Sequence, residues 1–170
     1  MARVKIAIIG GGSAYCAGLM QAFVRAGHLL RGSEICLMDI NQETLEIIWK
    51  LGSRMAEAAG ADLTVTRTAD RRAAIADANF VLTTFRPGGF QARVFDERIP
   101  LKHGVIGQET QGPGGFFMAL RSVPVMQAIV AEMEAVAPPI ARSFTTLGAA
   151  ARTRGIRSVP LEVKRVLQLA

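Results

Sequence analysis

Val4-Lys5-Ile6-Ala7-Ile8-Ile9 runs without a break into Gly10-Gly11-Gly12-Ser13, and no other stretch restricts the fold of this chain as much. The run is β-branched and nearly continuous rather than alternating. It therefore reads as a strand buried on both faces, the kind found inside parallel sheets. Parallel neighbours need crossovers, and helical segments stand where crossovers are required. Ala14 to Ala26 carries Leu19, Met20, Phe23 and Val24 at helical spacing and stops at Gly27. Glu34 to Asp39 reads as the second strand. From Gln42 to Ala59, Leu45, Ile48, Trp49, Gly52, Met55 and Ala59 keep one helical face, which Gly60 ends. Leu63 to Thr68 alternates like a strand, Asp70 caps a short helix through Ile75, and Phe80 to Thr84 is another buried strand.

This alternation of strand and helix predicts an α/β chain with a Rossmann-like doubly wound parallel sheet. Beyond Phe85 the pattern loosens. Arg86-Pro87-Gly88-Gly89 reads as a loop, Ala92 to Leu101 as a helix, Gly104 to Gly115 as a glycine-rich loop, and Phe116 to Ala135 as a long helix. No apolar run is read as long enough to span a membrane. The N-terminus enters the first strand directly, and Cys16 and Cys36 are too few for a disulfide framework. A cytoplasmic location is expected.

The chain has 170 residues and a net charge of +6, with a sequence pI near 10.1. That total would raise nucleic acid as a partner, but its distribution does not. Residues 1–139 hold 14 basic and 13 acidic side chains. Residues 140–170 hold six basic residues against the single acid Glu162, with Phe144 as their one aromatic, so they lack a stacking platform. A near-neutral body points to a small-molecule partner, with neither nucleic acid nor membrane.

A glycine turn between the first strand and first helix lets backbone approach a pyrophosphate at a helix N-terminus. Tyr15 stands where the third glycine of the dinucleotide fingerprint would be. Asp39, closing the second strand, has the chemistry to accept hydrogen bonds from both ribose hydroxyls and to repel a 2′-phosphate. Gly10, Gly12, Ser13 and Asp39 are accordingly read as an NAD site. Arg86 follows the fourth strand, where ligands of such sheets sit, and composition leaves it open between a cofactor contact and a solvated turn. Arg93, Asp96, Glu97, Arg98 and Lys102 crowd one helix, and Glu97 is spaced to pair with Arg93. Glu109 lies among glycines, which suits a ligand contact or a solvated loop. His28 and His103 have no partners at metal-ligand spacing, so no metal site is read.

Four motifs together resemble family 4 of the glycoside hydrolases, over roughly residues 3–139. They are Lys5 to Ser13, Leu37-Met38-Asp39-Ile40, Asp96-Glu97-Arg98-Ile99-Pro100-Leu101-Lys102, and Gly107-Gln108-Glu109-Thr110 with Gly112-Pro113-Gly114-Gly115. Cys16-Ala17 departs from a Thr-Pro common in relatives. The resemblance implies NAD- and manganese-dependent glycoside cleavage outside the usual two-carboxylate scheme. Hydride leaves sugar C3, a tyrosine removes the acidified C2 proton, the glycosidic oxygen is eliminated, water adds, and hydride returns. It also implies that Arg93 binds substrate and that Glu109 raises the basicity of the tyrosine.

After Pro139 the likeness stops. Residues 140–170 are Arg- and Ala-rich, and the metal-binding Cys and His, the acid and the base tyrosine of relatives are not found in this sequence. Its sole tyrosine is Tyr15. The expected division is 1–139 as an NAD-binding domain and 140–170 as a divergent basic tail, either a frameshifted or truncated product or a divergent C-terminus. The chain alone is expected to be inactive, and a full-length relative to be a homo-oligomer. Two other readings stay open: an oxidoreductase like lactate or malate dehydrogenase, and a stand-alone NAD-binding module.

Overall fold

The structure, a computed structural model, describes residues 3–136 and 143–146. The chain divides into two compact units, one built on residues up to Thr84 together with the segment from Glu132, the other on Phe85–Ala131. In chain order the first holds β1 (Lys5–Ile9), α1 (Tyr15–Arg25), β2 (Ser33–Met38), α2 (Gln42–Ala58), β3 (Leu63–Thr68), α3 (Arg71–Ile75) and β4 (Phe80–Thr83). The second holds α4 (Gly89–Leu101) and most of α5 (Gly112–Val136), and β5 (Ser143–Thr146) returns to the first.

The sheet is parallel throughout, in the order β3-β2-β1-β4-β5. Its central position explains why β1 does not alternate. Ile6 and Ile8 pair with Ile35 and Leu37 on one side and with Phe80 and Leu82 on the other. On one face these residues pack against Cys16, Met20 and Phe23 of α1 and Leu45 and Ile48 of α2. β3, at an edge, has no fully buried residue, which is why its sequence alternates.

Side chains finish what the periodicity begins. Asn41 accepts from the N–H groups of Glu43 and Thr44 at the start of α2, and Asp70 does the same for Arg72 and Ala73 at α3. Lys5 Nζ donates to the carbonyls of Ala73 (3.2 Å) and Ala76 (2.8 Å), satisfying the end of α3. Asn79 Oδ1 accepts from Lys5 N (2.8 Å), and Asn79 N donates to Lys5 O (2.8 Å). One residue thereby fixes the register in which β4 joins β1.

Three expectations change. α4 begins at Gly89, not Ala92, and α5 at Gly112, not Phe116. The first turn of a helix has no i−4 hydrogen bonds to lose, so the glycines and Pro113 that read as loop form helical turns instead. β5 falls inside the segment read as a tail, pairing Phe80 to Thr83 with Ser143 to Thr146. Four residues without an apolar run give no periodic signal, and β4 supplies the pairing edge. The rest of 140–170 lies outside the described residues. Finally, α5 is 25 residues long and apolar enough, by length and composition, to cross a membrane. Arg121 divides its apolar run, which is why the sequence did not read as a span.

Candidate functional site

In the first unit the glycine turn folds back over the end of β2. Gly10 N and Gly11 N both donate to Met38 O, at 2.8 and 2.7 Å. The approach is close enough that side chains are excluded. A Cβ on Gly12 would stand 2.5 Å from Thr44 Oγ1 and 3.0 Å from Asp39 Oδ2. Instead, Gly12 N donates to Asp39 Oδ2 (2.9 Å), while Asn41 N donates to Oδ1 (2.9 Å). A carboxylate offers about four acceptor positions, so Asp39 is oriented by two backbone donors and keeps capacity for others.

Ala14, the N-cap of α1, has no side-chain oxygen to offer, in contrast to Asn41 and Asp70, and Ser13 serves instead, its Oγ accepting from Tyr15 N (3.3 Å) and its carbonyl from Cys16 N (2.9 Å). A glycine cradle at a helix start and a held carboxylate together fit a dinucleotide: pyrophosphate over Gly10 to Ser13, ribose at Asp39. Tyr15, at the missing third glycine, is 77% exposed and so leaves the turn uncrowded. Cys16 lies beneath it, its thiol directed at Gly10 O (3.6 Å) and pushed up to about 12 by burial and by the Asp39 charge. It is a neutral packing group.

In the second unit Arg86, Arg93 and Glu109 come together. Arg86 Nη2 pairs with Glu109 Oε1, and Arg93 Nη1 lies 3.2 Å from Oε2. Arg93 Nε also donates to Glu97 Oε1 at 2.6 Å, the i,i+4 pair that the spacing predicted. The Arg86 guanidinium lies 5.8 Å from the ring centre of Phe90. Hydrogen bonding from Arg86, reinforced by the charges of Arg86 and Arg93, holds the Glu109 carboxyl below the usual carboxylate range. Glu109 is therefore ionised at neutral pH. It stands in a stretch that only glycine could form, because a Cβ on Gly107 would run into the backbone carbonyl of Glu97. Arg86 and Glu109, which the sequence assigned to separate roles, form one ion pair.

Asp96 and Arg121 form a further ion pair that the sequence reading does not single out. Asp96 is 3% exposed and is held by both Nη atoms of Arg121, Nη1 to Oδ1 at 2.8 Å. The available signal was position: Ala92, Asp96 and Pro100 follow one another at i,i+4 on a single stripe of α4. Among the described residues no three His, Cys, Asp or Glu side chains stand together as metal ligands. Cys36, like Cys16, has its thiol raised mainly by burial. The described residues do not fit a manganese site, and no step through a metal is derived from them.

A family profile described as "Family 4 glycosyl hydrolase" matches residues 5–161. The 6-phospho-beta-glucosidase of Escherichia coli (strain K12) is 44% identical over 138 residues, covering 80% of this chain and 31% of that protein. The 6-phospho-beta glucosidase of Thermotoga maritima, solved with NAD and glucose-6-phosphate, superposes with a TM-score of 0.75 at 35% identity, over 80% of this chain and 32% of that one. A 6-phospho-alpha-glucosidase from gut microorganisms, solved with NAD and Mn2+, gives 0.78 at 31% identity over 86% and 33%. This chain thus spans about a third of the length of its relatives. The profile match and the relatives do not favour the dehydrogenase alternative, and the chain belongs to family 4 of the glycosyl hydrolases.

Proposed function

We propose that this chain supplies the NAD-binding portion, residues 1–139, of a glycosidase acting on 6-phospho-glucosides. The observation that carries the reading is the hydrogen-bonded unit of Gly12 and Asp39 above the end of β2. Gly10, Gly12 and Ser13 bring backbone to the pyrophosphate, Asp39 takes the adenosine ribose hydroxyls, and its charge disfavours a 2′-phosphate. NAD, when bound, supplies the hydride acceptor for sugar oxidation. Arg93 offers guanidinium donors to the sugar, and Glu109, kept ionised by Arg86 and Arg93, provides a fixed negative charge on the substrate side. Arg86 is assigned to Glu109 before the cofactor. The named substrates of the relatives support a phosphorylated glycoside, and the near-neutral charge of residues 1–139 supports a small-molecule partner. Subunits of a whole enzyme of this kind would associate as identical copies.

Calorimetric titration of the 170-residue chain with NAD and NADP tests the cofactor assignment. NAD is expected to bind at least about tenfold more tightly than NADP, and Asp39→Ala to erase the difference, since losing one charge-assisted hydrogen-bonding group costs about 1.5–3 kcal/mol. A folded chain that binds neither nucleotide refutes the assignment.

A further inference from the structure

We propose that Asp96 and Arg121 are positioning residues that hold Arg86 against Glu109. Arg121 divides its guanidinium between two tasks. Its two Nη atoms grip Asp96 across from α5 to α4, and its Nε donates to Pro87 O at 3.3 Å. Pro87 is the residue directly after Arg86. The carbonyl of Arg86 itself is taken by Gly89 N (3.0 Å), and Ala92 N takes Gly88 O (3.2 Å) to open α4. The carbonyls of Arg86 and of the next residue, Pro87, are thus tied down, one by the start of α4 and one by Arg121.

The arrangement does more than join two helices. An ion pair on a buried carboxylate that only joined them can often be replaced by apolar side chains of similar volume at little loss. A guanidinium that also serves Pro87 cannot, because no apolar residue supplies the third donor. Lysine cannot either: its single ammonium is a point charge, whereas the planar fork reaches a carboxylate and a carbonyl at once. Asp96 lies one turn along α4 from Arg93, so the same grip fixes the helix that brings Arg93 to within 3.2 Å of Glu109. The charged groups facing Glu109 are Arg86 from the turn and Arg93 from α4, with Glu97 behind Arg93. The functional consequence rests on the proposed substrate-side role of Glu109, but the positioning itself does not.

Carbon-detected NMR titration of the Glu109 carboxyl in the ligand-free 170-residue chain is the test. In Arg121→Lys the positive charge stays and the Pro87 contact goes, so the Glu109 midpoint is expected to rise toward the ordinary carboxylate range, with the β1–β4 amide resonances unmoved. Asp96→Asn should move it in the same direction. A folded variant with an unchanged Glu109 midpoint overturns the proposal, since a role in stability alone would leave that carboxyl where it is. Should both variants fail to fold, a scalar coupling across the Arg121 Nε–H to Pro87 carbonyl hydrogen bond in the unaltered chain decides, and its absence counts against the proposal. No nucleotide is present, so a failure of NAD binding would leave this result intact.

Discussion

Gly12→Ala is the most direct challenge to the architecture of the cofactor loop. The new methyl carbon would lie 2.5 Å from Thr44 Oγ1, 3.0 Å from Asp39 Oδ2 and 3.1 Å from Asp39 Cγ. Ordinary carbon–oxygen contact begins near 3.4 Å, so the deepest overlap is roughly 0.9 Å, too large for the Thr44 hydroxyl to absorb without rotating away from Asn41 O. Overpacking of this kind costs about 1–3 kcal/mol. Moving the loop instead would break the bond from Gly12 N to Asp39, worth about 1.5–3 kcal/mol as a hydrogen bond to a charged group. A loss near 2 kcal/mol would lower the urea midpoint by about 1 M at a slope typical of small proteins. Thr44→Ala removes the deepest clash, so the double variant should regain part of the loss, with a coupling of at least about 0.5 kcal/mol. Urea unfolding of the four chains measures this. A Gly12→Ala chain as stable as the parent, or strictly additive losses, would refute the close packing on which the site is built.

Further outcomes follow from the ion pairs and buried thiols. Glu132 is held below the usual carboxylate range by its hydrogen bonds with Arg71 at 2.6 and 2.8 Å. A depressed folded value stabilises above the unfolded one, near about 4.3, and that contribution fades as pH falls through the folded value. Glu132→Gln should therefore be less stable than the parent at pH 7 and converge with it in acid; a pH-independent difference in urea midpoint contradicts this. Cys16 and Cys36, both buried with raised thiols, should resist a disulfide reagent at pH 8 and react only in denaturant. Fast labelling of Cys16 in the native chain would show that the α1 contact with the loop opens. If the compositional break after Pro139 marks a frameshift, another frame of the coding DNA, read from the Pro138 codon, encodes the Asn-Pro loop, Cys and His that the family resemblance implies, although the family profile itself reaches residue 161. If no frame does, residues 140–170 are the divergent sequence of this protein.

The first unit was legible because its contacts are made by elements with a period. β1 is continuous and apolar since it is central, α2 keeps one face since it covers the sheet, and Asp70 announces α3 since a short helix needs its cap. Even the pairing of loop and carboxylate was implicit, because Asp39 closes the strand over which the glycines fold. The contacts that the sequence does not disclose have no period. Asp96 and Arg121 are 25 positions apart, and in sequence Asp96 is one member of a charged crowd. Only its place on the stripe with Ala92 and Pro100 distinguishes it from Glu97 and Arg98. The starts of α4 and α5 were read as loops because glycine and proline carry the same letters in a turn as in a first helical turn. β5 borrows its order from β4 and has little of its own to declare.

The charge arithmetic of the second cluster limits what it can recognise. Arg86 and Arg93 face Glu109 and Glu97, and Arg121 faces Asp96. Each guanidinium is matched by a carboxylate, so the cluster carries oriented donors with no net positive charge. A sugar phosphate approaching it would have to compete with Glu109 and Glu97 for the same N–H groups, and Glu109 would repel it. Sugar hydroxyls face no such penalty, because they can accept from a guanidinium and donate to a carboxylate at once. The cluster is thus better matched to hydroxyl groups than to a phosphate. Recognition of a 6-phosphate calls for cations beyond these three arginines, since these are already committed to carboxylates.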